Sequence, residues 1–268
     1  MTLDLLDPAK RRVAFIEAAA ADALAPSEDL ALDGWRLRAD DAGTRRGNSV
    51  LPEAPGSEPL ARKIAVAEAF YRRRRRVPRV QLSAAAEPAG LDAALERAGW
   101  TLEEGARVMV LDLTGPPVQP VASGLRRVAP DDVGWREVQA SVTSARVDDA
   151  VRRADGLRAA GRIPWHLCLV DEHGGAVAAA LAVVDPPRAT LGLFQFATRP
   201  DARRRGWARR LLQATLALGA EAGAERAYLQ VHAANEAALR LYAGVGFTGH
   251  HPYHYRRAPD EAVRQDRR

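Results

Sequence analysis

The chain predicts an α/β (α+β) protein made of two domains of similar design. Three observations carry this. Its 268 residues are long for one small domain and suit two. The order strand, turn, helix, strand, helix, glycine–aromatic, strand occurs in both halves, with Ala94-Leu95 to Gly99-Trp100 paralleling Leu241-Tyr242 to Gly246-Phe247. Between the halves, Thr114–Ser123 (TGPPVQPVAS) has three prolines and no hydrophobic period, as a linker does. The expected division is 1–115, a linker at 116–123, a second domain at 124–258 and a tail at 259–268.

In the first half, Asp7-Pro8 opens a helix running to about Ala25, with the aspartate as cap and proline in the first turn. Trp35-Arg36-Leu37-Arg38 alternates like a half-buried strand, and Arg46–Leu51 reads as its hairpin return after a turn at Gly43. Pro52–Pro59 is a loop. A helix from about Ser57 to Arg76 places Leu60, Ile64, Ala67, Phe70 and Tyr71 on one face. Its five terminal arginines, Arg72 to Arg76, suit a helix C-terminus; no aromatic interleaving or binding module supports the alternative, an arginine-rich nucleic-acid module. Strand Val80–Ser83, helix Leu91–Ala98 capped by Gly99, and strand Val108–Leu113 complete this half.

The second half opens with Leu125–Val128 as an edge strand, and Ala129-Pro130-Asp131-Asp132 caps the next helix. Val133–Arg162 holds two helical pieces. Its acids Asp148, Asp149 and Asp155 are read as solubilising the helix rather than binding a ligand. Trp165–Asp171 and Ala176–Val184 pair around His173-Gly174-Gly175, and Arg188–Ala197 is the next strand.

Composition narrows the function. The net charge of +5 and 47% hydrophobic content describe a globular, arginine-rich chain; Lys10 and Lys63 are the only lysines. Such a balance favours anionic ligands and does not by itself make a nucleic-acid binder. Cys168 is alone in an apolar run, so no intramolecular disulfide is possible and a buried, inert thiol is expected. No apolar stretch is long enough to span a bilayer, and MTLDLLDPAKRR has no signal-peptide core, so a cytoplasmic protein is expected. His250, His251 and His254 match no zinc spacing, and no metal is expected.

The segment with the strongest chemical signal is Phe194–Leu212, FQFATRPDARRRGWARRLL. A strand is ended by Pro200, a basic turn follows, and Ala208, Leu211, Leu212, Thr215, Leu216 and Gly219 recur at helical spacing. Gly206 and Ala208 exclude bulk where backbone must approach a ligand. A helix start offers unpaired N–H groups and a positive dipole end, and Arg203, Arg204 and Arg205 add fork-shaped donors. Phosphate or pyrophosphate is the ligand chemistry this suits.

Here the chain resembles the GNAT superfamily of acyl-CoA-dependent N-acyltransferases. The family's Gln/Arg-x-x-Gly-x-Gly/Ala turn reads Arg203-x-x-Gly206-x-Ala208, and its later pattern reads Asn235-x-x-Ala238-x-x-x-Tyr242 with Gly246-Phe247. The resemblance covers about Leu125 to Arg257. GWRLRADDAGTRRGNSV, with the helix ending in Phe70-Tyr71, also resembles the N-terminal part of tandem bacterial acetyltransferases. The resemblance implies two mixed, mostly antiparallel sheets flanked by helices, with a V-shaped splay between the two central strands of the C-terminal domain. The first domain reads as a degenerate copy without cofactor, because prolines and Glu53 stand where phosphate donors should be.

It further implies acetyl-CoA as co-substrate, lying along Phe196, Ala197 and Thr198, with diphosphate on Arg203, Arg204, Arg205, Gly206, Trp207 and Ala208, and Asn235 at the pantetheine or diphosphate end. Tyr242, two helical turns from Asn235, is the implied general acid. A phenol suits reprotonation of a thiolate of similar basicity. No carboxylate base is evident; Gln195, His232 and His166 are candidates to relay a water, and Trp135 lies in the region that covers the acceptor in the family. The expected function is acetyl transfer from CoA to a small-molecule or peptide amine in a ternary complex, by a monomer or homodimer. A non-catalytic CoA-binding sensor is the alternative.

Overall fold

The computed structural model describes residues 7–41, 43–115, 124–142 and 150–260. They divide into two compact units. Unit 1 takes the chain up to Ala18, Pro26–Ala106 and the residues from His251 onward; unit 2 takes Ala19–Ala25 and Arg107–His250.

In unit 1, helix α1 (Pro8–Asp22, its last turn in unit 2) starts where Asp7 caps it, Ala9 N donating to Asp7 Oδ1 at 3.2 Å. Strands β1 (Glu28–Leu32) and β2 (Trp35–Ala39) form a hairpin, followed by β3 (Val50–Pro52), helix α2 (Leu60–Arg73), β4 (Arg79–Leu82), helix α3 (Leu91–Arg97) and β5 (Thr101–Asp112). The sheet order is β1-β2-β3-β4-β11, where β11 (Thr248–Arg257) is the final strand; β3 and β4 are parallel. Trp35, Leu37, Val50, Phe70, Tyr71, Val80, Leu95 and Trp100 fill the core.

Local departures from the sequence reading have side-chain causes. β1 was not expected, since its acids hide its strand character; Glu28 is tied to Arg74 and Asp29 to Arg36. The expected strand Arg46–Leu51 is a short 3-10 helix, Arg46–Asn48, then β3. Asn48 causes this: buried, it accepts from Asp40 N at 3.1 Å and donates to the Asp40 and Thr44 carbonyls at 2.9 and 3.0 Å. α2 stops at Arg73, and Arg75 has φ +53°. Three of the five arginines bind the protein itself: Arg72 donates to Pro259 O, Arg74 to Glu28 and Arg76 to Asp41.

Lys63 is 1% exposed, with its ammonium 2.6 Å from Asp33 O, 2.8 Å from Pro55 O and 4.5 Å from the Trp35 ring centroid. Burial lowers its pKa, and the Asp33 carboxylate opposes that shift. Lys63→Met would strand two carbonyl acceptors, so thermal unfolding should show a loss of about 2 kcal/mol and a lower Tm.

Unit 2 contains β6 (Leu125–Val128), helix α4 (Val133–Ala140), helix α5 (Ala150–Ala159), β7 (Ile163–Val170), β8 (Ala176–Asp185), β9 (Thr190–Thr198), helix α6 (Trp207–Glu221), β10 (Arg226–Val231) and helix α7 (Glu236–Ala243). The order is β5-β10-β9-β8-β7-β6, antiparallel except between β9 and β10. Leu167, Leu169, Leu191, Leu193, Leu211, Leu212, Leu216 and Leu229 form the core beside the small residues Ala178, Ala180 and Ala182. The end of α1 is fastened by Asp22, which accepts from Arg162 and Arg188 at 2.6 and 2.8 Å; both also reach buried Asp185.

The two compact units do not follow the expected boundaries 1–115 and 124–258. In unit 2, β10 pairs with Arg107–Asp112, as in Ala227↔Leu111; in unit 1, β4 pairs with the end of β11, as in Gln81↔Tyr255. Each unit is therefore closed by a strand from the other half of the chain. Residues 116–123 of the expected linker, and the tail beyond Asp260, lie outside the described residues.

Candidate active site

The site is built at the end of β9. The parallel ladder with β10 runs from Thr190↔Arg226 to Leu193↔Leu229 and goes no further, although both strands continue. This is the splay expected between the central strands. On its other side β9 stays paired to β8 through Ala179↔Ala197 and Ala178↔Thr198, after a bulge between Ala179 and Leu181. Gln195 sits in that bulge at φ +51°, a left-handed conformation uncommon for a side-chain-bearing residue. Ala197 and Thr198 thus have a ladder to β8 and none to β10, while Phe196 lies with Gln195 in the bulge.

The basic turn follows. Arg203 Nε donates back to Thr198 O at 3.4 Å, while Arg203, Arg204 and Arg205 are all exposed. Arg204 at φ +62° and Gly206 at φ +80° alternate with Arg205, the backbone pattern that turns successive N–H groups toward one point. Gly206 is the N-cap of α6 and offers no side-chain cap, and the first turn of α6 contains no acid. Among the described residues, the N–H groups of Arg204 to Arg209 have no protein acceptor; the first bond of the helix is Arg210 N to Gly206 O at 3.0 Å. Unsatisfied donors at a positive dipole end, with arginines around them, fit a diphosphate. Trp207 and Ala208 are half-buried, Trp207 beneath the Arg210 guanidinium at 4.5 Å.

Helix α7 is drawn beside this turn: Arg209 Nη1 donates to Gly244 O at 3.3 Å. Asn235 is its N-cap, with Oδ1 accepting from Ala238 N at 3.1 Å, and the residue is exposed. Tyr242 is half-buried, edge-on to Phe247 at 6.0 Å. Burial pushes its pKa up to about 12. Gln195 and His232 are exposed, His232 directly after β10.

Trp135 is a correction: it is fully buried, its indole donates to Ala180 O at 3.0 Å, and its ring meets His166 edge-on at 4.9 Å. An acceptor-lining role does not fit that position. His166 is itself 3% exposed, and burial, with Arg158 and Arg153 nearby, depresses its pKa to about 4, so it is a neutral core residue. Cys168 is buried and its pKa is raised by burial to about 12, as expected of an inert thiol. Asp155 pairs with Arg158 at 2.9 Å; Asp148 and Asp149 lie outside the described residues. The sequence reading missed Gln139, whose Nε2 donates to Gln195 O at 2.7 Å. Its signal was a polar residue on the buried Trp135–Val138 face of α4.

Unit 1 has the same strand–helix–parallel strand arrangement in β3, α2 and β4, but the donors ahead of its helix are taken. Ser57 N and Glu58 N both donate to the Asp33 carboxylate, at 2.9 and 2.8 Å, and Ser57 Oγ joins them at 3.3 Å. Those bonds, Ser57 N foremost, lower the Asp33 pKa. The Asp33 carboxylate thus occupies backbone donors just ahead of α2, in the same loop as the Glu53 expected to repel a phosphate.

These features define a GNAT-type acetyltransferase fold. The family described as "Probable histone acetyltransferase Rv0428c C-terminal" matches residues 12–256, and the chain belongs to it. No curated protein matches the chain. Among solved structures, a GCN5-related N-acetyltransferase from Kribbella flavida superposes with TM-score 0.67 at 15% identity, covering 94% of this chain and 97% of that one. A tandem GNAT protein from the clavulanic acid biosynthesis pathway (without AcCoA) gives 0.58 at 14%, covering 94% and 97%. A putative GNAT-family acetyltransferase from Novosphingobium aromaticivorans gives 0.55 at 19%, covering 88% and 93%. At these identities the likeness is one of fold.

Proposed function

We propose that the second half of the chain is an acetyl-CoA-dependent N-acetyltransferase acting on a small-molecule or peptide amine, and that the first half is a GNAT-like domain holding no cofactor. The observation that carries this is the run of unsatisfied N–H groups from Arg204 to Arg209 beside an open β9 edge. Family membership supports it, as does the mention of AcCoA in the name of a structural relative.

In this reading acetyl-CoA supplies an activated thioester. The N–H groups of Arg204 to Ala208 hold its diphosphate, with the Arg203, Arg204 and Arg205 side chains around it. The free backbone edge of Phe196 to Thr198 orients the pantetheine arm as an added strand, and Trp207 and Asn235 flank its path. A neutral amine attacks the thioester carbon; the C–N bond forms and the C–S bond breaks. Tyr242 gives its phenolic proton to the departing thiolate. Water ordered by Gln195 and His232 takes the amine's proton. The burial of Tyr242 keeps the phenol protonated until needed. Among the described residues no helix is long and apolar enough to cross a membrane.

The test follows free thiol during incubation with acetyl-CoA and a panel of amines. CoA uptake with no thiol release from any amine would overturn catalysis. Gly206→Asp tests the cradle: an added Cβ meets open space, so the substitution adds about 1 kcal/mol of backbone strain while placing an anion at the diphosphate. Calorimetry should show CoA affinity falling at least about tenfold with little change in melting temperature.

A further inference from the structure

Two buried side chains of one helix meet the bulge of β9 from the same side. Ala180 on β8 has no single partner across the bulge, because Leu181 pairs with Phe194 and Ala179 with Ala197, leaving Gln195 and Phe196 opposite it. Ala180 O accepts from Trp135 Nε1 at 3.0 Å. On the facing strand, Gln195 O accepts from Gln139 Nε2 at 2.7 Å. Trp135 and Gln139 are one helical turn apart on α4, and are 0% and 2% exposed. The start of α4 is fixed by Asp132, which accepts from Trp135 N at 2.9 Å. One capped helix thus delivers two donors to the two strands where their ladder is interrupted.

A bulge costs a strand its regular pairing and holds only where the released groups find partners. The β9 bulge, Gln195 and Phe196, is followed by Ala197 and Thr198 and lies two residues past the last β9–β10 pair, Leu193↔Leu229. The bulge therefore lies where β9 leaves β10. We propose that Trp135 and Gln139 are positioning residues for acyl transfer: as a two-donor clamp they hold the bulge, and through it set the opening between β9 and β10 that receives the pantetheine arm. This rests on the acetyl-CoA reading of the site. Neither side chain touches substrate; both act through the backbone of Gln195 and Ala180.

The experiment uses the full chain with Gln139→Met, which removes the donor and keeps the length, Gln139→Lys, which restores a donor, and Trp135→Phe. The clamp predicts that Gln139→Met raises the acetyl-CoA KM and the Kd for CoA roughly tenfold, with kcat changed by less than about threefold. It also predicts faster amide hydrogen exchange at 194–198, and recovery in Gln139→Lys. Combining Gln139→Met with Trp135→Phe should cost less than the two separate losses multiplied, because both donors serve one bulge. Unchanged KM with unchanged exchange overturns the proposal. So does a lowered melting temperature with exchange at 194–198 unaltered. If Gln139→Met does not fold, Trp135→Phe is judged by the same two readouts. A wild-type chain that takes up no CoA would sink the reading of the site; exchange at 194–198 would then decide the clamp alone.

Discussion

Tyr242→Phe should lower kcat for acetyl transfer by about a hundredfold or more while leaving CoA binding nearly intact. The ring of Tyr242 packs edge-on against Phe247 and joins the periphery of the core, so phenylalanine keeps the ring packing and removes only the hydroxyl that would carry the proton. Steady-state kinetics beside calorimetry check it; a variant with wild-type turnover would move the acid elsewhere. The pH dependence has a definite sign. Burial raises the phenol to about 12, so the acid form persists through the physiological range and beyond the usual phenol pKa of about 10. The rate should therefore show no alkaline fall from this group below about pH 10. Stability follows the same linkage: the contribution of the buried neutral phenol is full below the unfolded pKa and is lost as pH rises through the folded one.

Separating the chain between Gly115 and Gly124 should leave two fragments that do not fold alone. The first would lack the end of β11, with its buried Tyr253 and Tyr255, beside β4. The second would lack Arg107–Asp112, with buried Val108 and Met109, beside β10. Each such side chain is worth about 1.5–3 kcal/mol, and the exposed ladders add unpaired backbone, against a net stability of about 5–15 kcal/mol for a domain. Calorimetry should find no cooperative transition in either fragment, and co-expression should yield a complex in which both regain one. A cooperative melt in a lone fragment would contradict this.

Much of the candidate site's local geometry was legible because its signals are local. The glycine, the arginines and the helical period of Arg203–Leu212 lie within one turn and one helix start, and Asn235 and Asp132 cap their helices as their positions suggest. The bulge was not legible: nothing in Phe194-Gln195-Phe196 announces a left-handed glutamine, because the groups that sustain it arrive from α4. Trp135 misled for a related reason. A tryptophan that lines a pocket and one that aims its indole at a carbonyl look alike in one dimension. The exchange of closing strands was equally hidden, since the apolar run Val108–Leu111 reads the same whichever strand it pairs with. Asp33 escaped notice because it stands far along the chain from Ser57 and Glu58, whose donors it occupies.

The sealed Lys63 has a chemical consequence for the proposed acetyl-CoA reaction. Only two side-chain amines exist in the sequence, Lys10 and Lys63. One is walled off by carbonyls and an indole face, and the other rests against Glu87 at 3.2 Å. Nearly all remaining positive charge is guanidinium, which stays protonated and makes a poor nucleophile toward an acyl group. Around the proposed acyl donor the surface can thus be strongly cationic while offering few sites for accidental self-labelling.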